Sequence, residues 1–197
     1  MIRLGILGST RGTNLTAIVE AIKQQKLNAS IEVVVSNKAK AGILEKATYF
    51  GLQTAYLSAK ELTREEFDRK LNTLLKNYGV DLIVLVGYMR ILSAEFIQEW
   101  QNKIINIHPS LLPAYAGLMD LEVHRAVLTA GEKYSGCTVH FVNEEVDAGP
   151  VLLQKRCEVL FKDTPEQLKA RIQQDEGALL VEAIKVISQE FGNRSNK

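Results

Sequence analysis

Asn106 and His108 are the residues of this chain best placed to do chemistry together. The segment from Ile104 to Pro113 reads Ile-Ile-Asn-Ile-His-Pro-Ser-Leu-Leu-Pro. Side chains alternate along a β-strand, so Asn106 and His108 project from one face while Ile104, Ile105 and Ile107 help to bury the strand. Pro109 lacks an N–H and biases His108 away from the helical region, so the extended backbone persists to the histidine and ends there. A carboxamide and an imidazole at one strand end can both donate hydrogen bonds. Two such donors aimed at one point can hold an oxygen on which negative charge develops. A buried strand also uses such residues to satisfy neighbouring backbone groups, and the spacing of the pair does not choose between the two uses.

The elements that must position this pair alternate along the chain. Ile2 to Gly8 reads as a buried strand, and Leu15, Ile18, Val19 and Ile22 then recur at helical spacing. Between them lies Gly8-Ser9-Thr10-Arg11-Gly12-Thr13-Asn14, a Gly-rich turn with hydroxyls and amides at a helix start, the outline of an anion site. A tight structural turn fits the same residues. No Lys follows Gly12, which disfavours a P-loop. The glycine spacing is not that of a dinucleotide fingerprint, and Ser36-Asn37 stands where a ribose-binding acid is expected, so a monophosphate fits better.

Ile31 to Val35 forms a second strand, Ile43 to Phe50 a short helix and Thr54 to Leu57 a third strand. Thr63-Arg64-Glu65-Glu66 has capping-box spacing and opens a helix with Phe67, Leu71, Leu74 and Leu75 inward. Leu82 to Val86 is a continuous apolar run suited to a central parallel strand. It leads into Gly87-Tyr88-Met89-Arg90-Ile91-Leu92 before Ser93 caps another helix, and in open sheets ligands sit beyond such strand ends. A connector tucked into the core is the other reading of that loop.

A helix carrying Val123, Ala126 and Val127 ends near Gly131. Gly136 to Val142 and Val151 to Val159 then read as a hairpin, joined by the acidic loop from Asn143 to Pro150. His140 reads as a structural residue. Thr164-Pro165 starts a long helix with an apolar stripe of Leu168, Ile172, Leu179, Ala183 and Ile187. The pattern predicts an α/β fold: a Rossmann-like open, mostly parallel sheet with helices on both faces and an antiparallel hairpin in the C-terminal half.

Composition narrows the function. With Lys+Arg 24 against Asp+Glu 23, no global field gathers nucleic acid or an anionic membrane. No apolar run approaches the roughly 20 residues of a spanning helix, and Met1 leads straight into the first strand, so a cytoplasmic protein is expected. Cys137 and Cys157 lack Cys-x-x-Cys spacing and read as packing residues. His108, His124 and His140 lack ligand pairing, so no metal is predicted.

The run Asn106 to Pro113 resembles the signature of the folate-dependent formyltransferases, above all the branch acting on glycinamide ribonucleotide. Gly12-Thr13-Asn14, Met89-Arg90-Ile91-Leu92 and Asp147 ahead of Ala-Gly-Pro extend the resemblance over most of the chain. It implies transfer of the formyl group of 10-formyltetrahydrofolate to the amine of glycinamide ribonucleotide in purine synthesis. Asn106, His108 and Asp147 are then catalytic, with Asp147 favouring the imidazolium form of His108. Gly12, Thr13, Asn14, Gln173 and Glu176 hold the ribonucleotide, the first three at its phosphate. Arg64, Met89, Arg90, Ile91, Leu92 and Asn143 contact the folate.

One formyltransferase domain is expected over 1–197: a phosphate-binding half at 1–100, a catalytic and folate-binding half at 101–191, and a polar tail at 192–197. A monomer or a homodimer is compatible with it. The segment Leu118 to His124 is longer than in some family members, and Leu112-Pro113 is a candidate cis bond. Two relatives within the resemblance differ in added domains. Formyltetrahydrofolate hydrolases carry an N-terminal regulatory domain, whereas here a strand begins at Ile2; methionyl-tRNA formyltransferases add a C-terminal RNA-binding domain, which this chain is expected to lack. A non-catalytic module that binds a phosphorylated metabolite is the alternative from another class.

Overall fold

The computed structural model describes residues 1–194. Its elements are β1 (Ile2–Leu7), α1 (Thr13–Lys23), β2 (Ala29–Ser36), α2 (Gly42–Tyr49), β3 (Thr54–Tyr56), α3 (Arg64–Asn77) and β4 (Leu82–Leu85). There follow α4 (Ala94–Glu99), β5 (Ile104–His108), α5 (Leu121–Thr129), β6 (Tyr134–Phe141), β7 (Val151–Glu158) and α6 (Pro165–Arg194). The strands make one seven-stranded sheet in the order β3-β2-β1-β4-β5-β6-β7. Pairing is parallel from β3 through β5, and β6 joins β5 and β7 antiparallel.

The pleat divides the central strands between two cores. Leu4, Ile6, Val34, Leu82 and Val84 face one side, where they pack with Leu15 and Ile18 of α1 and Leu180 and Ile184 of α6. Leu7, Val33, Val35 and Ile83 face the other side with Phe67, Leu71 and Leu75 of α3 and Phe96 of α4. That two-sided burial is why these strands read as continuous apolar runs. Cys137 and Cys157, both buried and free, pack with Val127, Leu168 and Ile172 in a third cluster beneath the hairpin.

Strand order reverses between β1 and β4. From β1 the chain winds outward to β2 and β3; from β4 it winds the other way. The turns leaving β1 and β4 therefore flank a crevice at the carboxyl ends of the sheet, the place where such folds bind ligands. Ser9, 4% exposed, ties these turns together. Its hydroxyl accepts from the Met89 N–H at 2.9 Å and donates to Asn37 Oδ1 at 2.6 Å, while its N–H donates to the Gly87 carbonyl at 3.0 Å.

Several boundaries shift from the sequence reading because pairing extends the strands. Ala29 pairs with Ile2, so β2 starts before Ile31, and Tyr134 pairs with Glu158, so β6 starts before Gly136. The capping box of Thr63 and Glu66 forms as expected, and Ser93 caps α4. Leu112-Pro113 is cis. The polar tail expected from residue 192 divides: the helix runs to Arg194, and 195–197 lie outside the described residues.

Helix α6 crosses α1 at Gly177, where an added Cβ would lie 2.7 Å from the Cβ of Ala17. The missing side chain sets the distance between the two helices. Gly177→Val is expected to lower unfolding free energy by about 1–3 kcal/mol, the scale of overpacking a close contact. Urea denaturation checks this as a lowered midpoint at unchanged slope.

Candidate active site

Antiparallel register assembles the polar cluster at the end of β5. Asn106 stands opposite His140 and His108 opposite Thr138, so β6 lays one polar side chain beside each of the pair. Thr138 pins the bend that follows His108: its hydroxyl donates to the Ser110 carbonyl at 2.6 Å and accepts from Leu112 N–H at 3.1 Å and from Gln154 Nε2 at 2.9 Å. The strand end is thereby held on three sides.

Asp147 reaches the cluster from the loop between β6 and β7. Its backbone is left-handed, with φ 55°, a conformation that Asp tolerates better than most residues. Two residues on, Gly149 packs so tightly that a Cβ would come within 1.8 Å of the Phe141 carbonyl oxygen. This close approach presses the loop onto β6. The Asp147 carboxylate then lies 3.2 Å from His108 Nδ1 and 3.6 Å from His140 Nε2, and it accepts the Gly117 N–H at 3.0 Å.

Acceptors fix where protons sit. His140 Nδ1 is 2.9 Å from the Phe141 carbonyl, which can only accept, so Nδ1 carries the hydrogen. Nε2 is then free to accept from Asn106 Nδ2 at 3.3 Å. This leaves the second amide hydrogen of Asn106 for a ligand. A proton on Nε2 would instead point at Asp147. His140, read from the sequence as structural, thus contacts two of the three residues assigned to catalysis. The signal was there in its alternation with Thr138, but only the strand register reveals what it faces.

His108 Nε2 faces the Tyr115 carbonyl at 3.2 Å, so both ring nitrogens meet acceptors. Burial nevertheless holds its pKa below the ordinary value, against the opposing pull of Asp147 and Tyr115. The Asp147 carboxylate favours the imidazolium form, as expected, and desolvation outweighs it. For Asp147 burial pushes upward, yet the contacts with His140, Gly117 and His108 together leave its carboxyl below the usual range.

The residues assigned to the ribonucleotide lie on two elements. Gly12, with φ 63°, is the N-cap of α1, and no side chain caps that helix or adds acid to its first turn. A side chain at Gly12 would also meet Ile43 at 2.4 Å. Lys46 Nζ donates to the Gly12 carbonyl at 3.2 Å. Thr13 is exposed, whereas Asn14 is buried and donates to Glu176 Oε2 at 2.9 Å, across the α1–α6 crossing. Glu176 is itself buried, which raises its pKa against the Asn14 hydrogen bond. Gln173 lies half-buried one turn earlier on α6.

The residues assigned to folate fall into two groups. Met89 and Ile91 are 46% and 59% exposed, free to form a ligand wall, while Leu92 is buried in the core beside Phe96. The connector reading therefore holds for the Leu92 and Tyr88 side chains, which pack on the core. Arg90 is half-buried with its guanidinium 4.2 Å from the Phe67 ring centroid. Arg64 is exposed and pairs with Glu65 at 3.2 Å. Asn143 accepts from the Glu145 N–H at 3.2 Å, so its side chain shapes its own loop. Among the described residues no group of three or more His, Cys, Asp or Glu side chains is arranged to hold a metal ion.

His124 of α5 is buried and supplies a pH-dependent stability. Burial and, after it, Lys169 push its pKa down to about 4, with Asp120 opposing and His108 adding to the effect. As pH falls through 6.5 the unfolded chain takes up a proton that the folded chain refuses until about 4. Stability present above pH 6.5 is therefore lost on acidification, by up to about 3 kcal/mol. Urea denaturation at pH 7 and pH 4.5 is expected to show a smaller loss in His124→Asn than in the parent chain.

Comparisons with known proteins identify the family. Residues 2–184 match the formyl transferase family. The chain is 42% identical over 175 residues to phosphoribosylglycinamide formyltransferase of Escherichia coli K12, covering 88% of this chain and 81% of that protein. It is 41% identical over 188 residues to the trifunctional purine biosynthetic protein adenosine-3 of Gallus gallus, spanning 95% of this chain but only 18% of that much longer protein. The crystal structure of glycinamide ribonucleotide transformylase 1 from Symbiobacterium toebii superposes with a TM-score of 0.92 at 42% identity, over 96% of this chain and 89% of that one. By sequence and by fold, the chain belongs to the formyl transferase family.

Proposed function

We propose that this chain transfers the formyl group of 10-formyltetrahydrofolate to the amine of glycinamide ribonucleotide, with Asn106, His108 and Asp147 at the reacting centre. The observation that carries the reading is the meeting of Asp147 with His108 Nδ1 at 3.2 Å, two groups separated along the chain and joined at a strand end beside the Asn106 amide. The ribonucleotide phosphate would lie at the start of α1 over Gly12, Thr13 and Asn14, where backbone N–H groups and the helix dipole favour an anion. Glu176 and Gln173 would reach its sugar. The formyl donor would lie against Met89 and Ile91, with Arg64, Arg90 and Asn143 toward its polar groups and Leu92 meeting it through the backbone.

In this mechanism the substrate amine attacks the formyl carbon directly, so no nucleophilic side chain is needed. The carbonyl oxygen gains negative charge as the tetrahedral centre forms. Asn106 donates its free amide hydrogen to that oxygen, and His108 donates its Nε2 hydrogen, which must turn to the oxygen from the Tyr115 carbonyl. Asp147 stabilises the imidazolium that burial otherwise disfavours, and it relays the proton lost by the amine toward the departing folate nitrogen. Collapse of the tetrahedral centre breaks the bond to that nitrogen and leaves the formylated amide.

The test is to supply the formyl donor with and without glycinamide ribonucleotide and follow absorbance of the deformylated folate. Turnover that requires the amine is expected. Formate release without the amine would identify a hydrolase, and no turnover under either condition would identify a binding module. For His108→Ala, kcat is expected to fall on the order of 10²-fold or more while both KM values change much less. Full activity in that variant would remove the mechanism.

A further inference from the structure

The glycine turn that opens α1 is braced from behind by α2. That helix follows β2, on the side of β1 away from β4, so it backs the turn that the crevice fronts. Two of its groups draw carbonyls of the turn toward it. The Ile43 N–H donates to Thr10 at 3.0 Å, and Nζ of the half-buried Lys46 donates to Gly12 at 3.2 Å. Lys46 enters no ion pair among the described residues, so no acid competes with that carbonyl for its charge.

The N–H groups of Gly8 and Ser9 are taken by the Val35 and Gly87 carbonyls, and Leu15 donates back to Gly12 at 3.2 Å. Between them the Thr13 and Asn14 N–H groups lie ahead of the helical ladder, and no side chain caps the helix. In a trans peptide the carbonyl and the following N–H point opposite ways, so drawing the Gly12 carbonyl toward α2 turns the Thr13 N–H toward the crevice. A cation on the carbonyl also polarises the peptide and strengthens its N–H as a donor. We propose that Lys46 is a positioning residue for the ribonucleotide phosphate: its ammonium fixes and polarises the Gly12–Thr13 peptide, aiming the Thr13 N–H before the phosphate arrives. Ile43 already seats α2 on the turn through its N–H and its side chain, so packing alone does not call for the ammonium. This inference rests on the phosphate reading of Gly12, Thr13 and Asn14.

Lys46→Met keeps the apolar stem and removes the charge and the donor. In steady-state kinetics it should raise KM for glycinamide ribonucleotide about tenfold, the scale of one charge-assisted hydrogen bond, with kcat and the KM for 10-formyltetrahydrofolate within about twofold. Thr13→Glu tests the phosphate reading separately. Thr13 is exposed and α1 has no acid in its first turn, so this variant sets a negative charge where the phosphate would lie, at a helix end that favours one. It should melt no earlier than the parent chain and raise the same KM about tenfold or more.

An unchanged ribonucleotide KM in Lys46→Met, beside a raised one in Thr13→Glu, would overturn the positioning role and leave the phosphate reading standing. A loss in Lys46→Met spread equally over kcat and both KM values would also overturn it, as the mark of a general disturbance of the fold. An unchanged ribonucleotide KM in Thr13→Glu would sink the phosphate reading and this inference with it.

Discussion

The cluster at the end of β5 depends on burying polar groups beside one another, so that each finds a partner. Four side chains, those of Asn106, His108, His140 and Asp147, sit together at the rim of the sheet, and none could be withdrawn from water alone without a penalty of several kcal/mol. The antiparallel pairing of β5 with β6 answers that constraint. It sets Asn106 against His140 and His108 against Thr138, and the loop that closes the hairpin returns Asp147 to both rings. One residue of slip in that pairing would turn the polar side chains to the opposite face.

The rest of the sheet makes this strand end reachable. Parallel pairing from β3 through β5 gathers the strand carboxyl ends on one edge, and the reversal of order between β1 and β4 opens a crevice there. Helix α6 then crosses α1 closely enough at Gly177 for Glu176 to accept from Asn14, so a helix near the end of the chain completes the turn near its beginning. Distance along the chain and distance in space are decoupled by the winding of the sheet alone.

What the sequence disclosed follows from locality. The alternation of strands and helices, the capping box at Thr63, the cap at Ser93 and the position of Asn106 and His108 on one strand face all depend on neighbours within a few residues, and the structure contains each of them. The partners of those residues depend on register and on loop path. His140 was legible as a strand histidine but not as the neighbour of Asn106, and the link from Ser9 to Asn37 and Met89 left no mark in spacing. The balance at His108 was illegible for a different reason: a nearby carboxylate can be guessed from a motif, whereas desolvation depends on the whole surrounding fold. The reach of α6 to Arg194 was missed because polar residues at a helix end carry no periodic signal.

The Ser9 hydroxyl, held between Asn37 and the Met89 N–H, has a bearing on how such a protein could be redesigned. It is a single fastening shared by the turns that leave three different strands. Retuning the preference of the β1 turn by altering that residue would also disturb the loop after β4, so the two halves of the crevice cannot drift apart independently. On the proposed function, an engineer seeking a new acceptor with the old donor would do better to start at Gln173 and Glu176 of α6, which take no part in that shared knot.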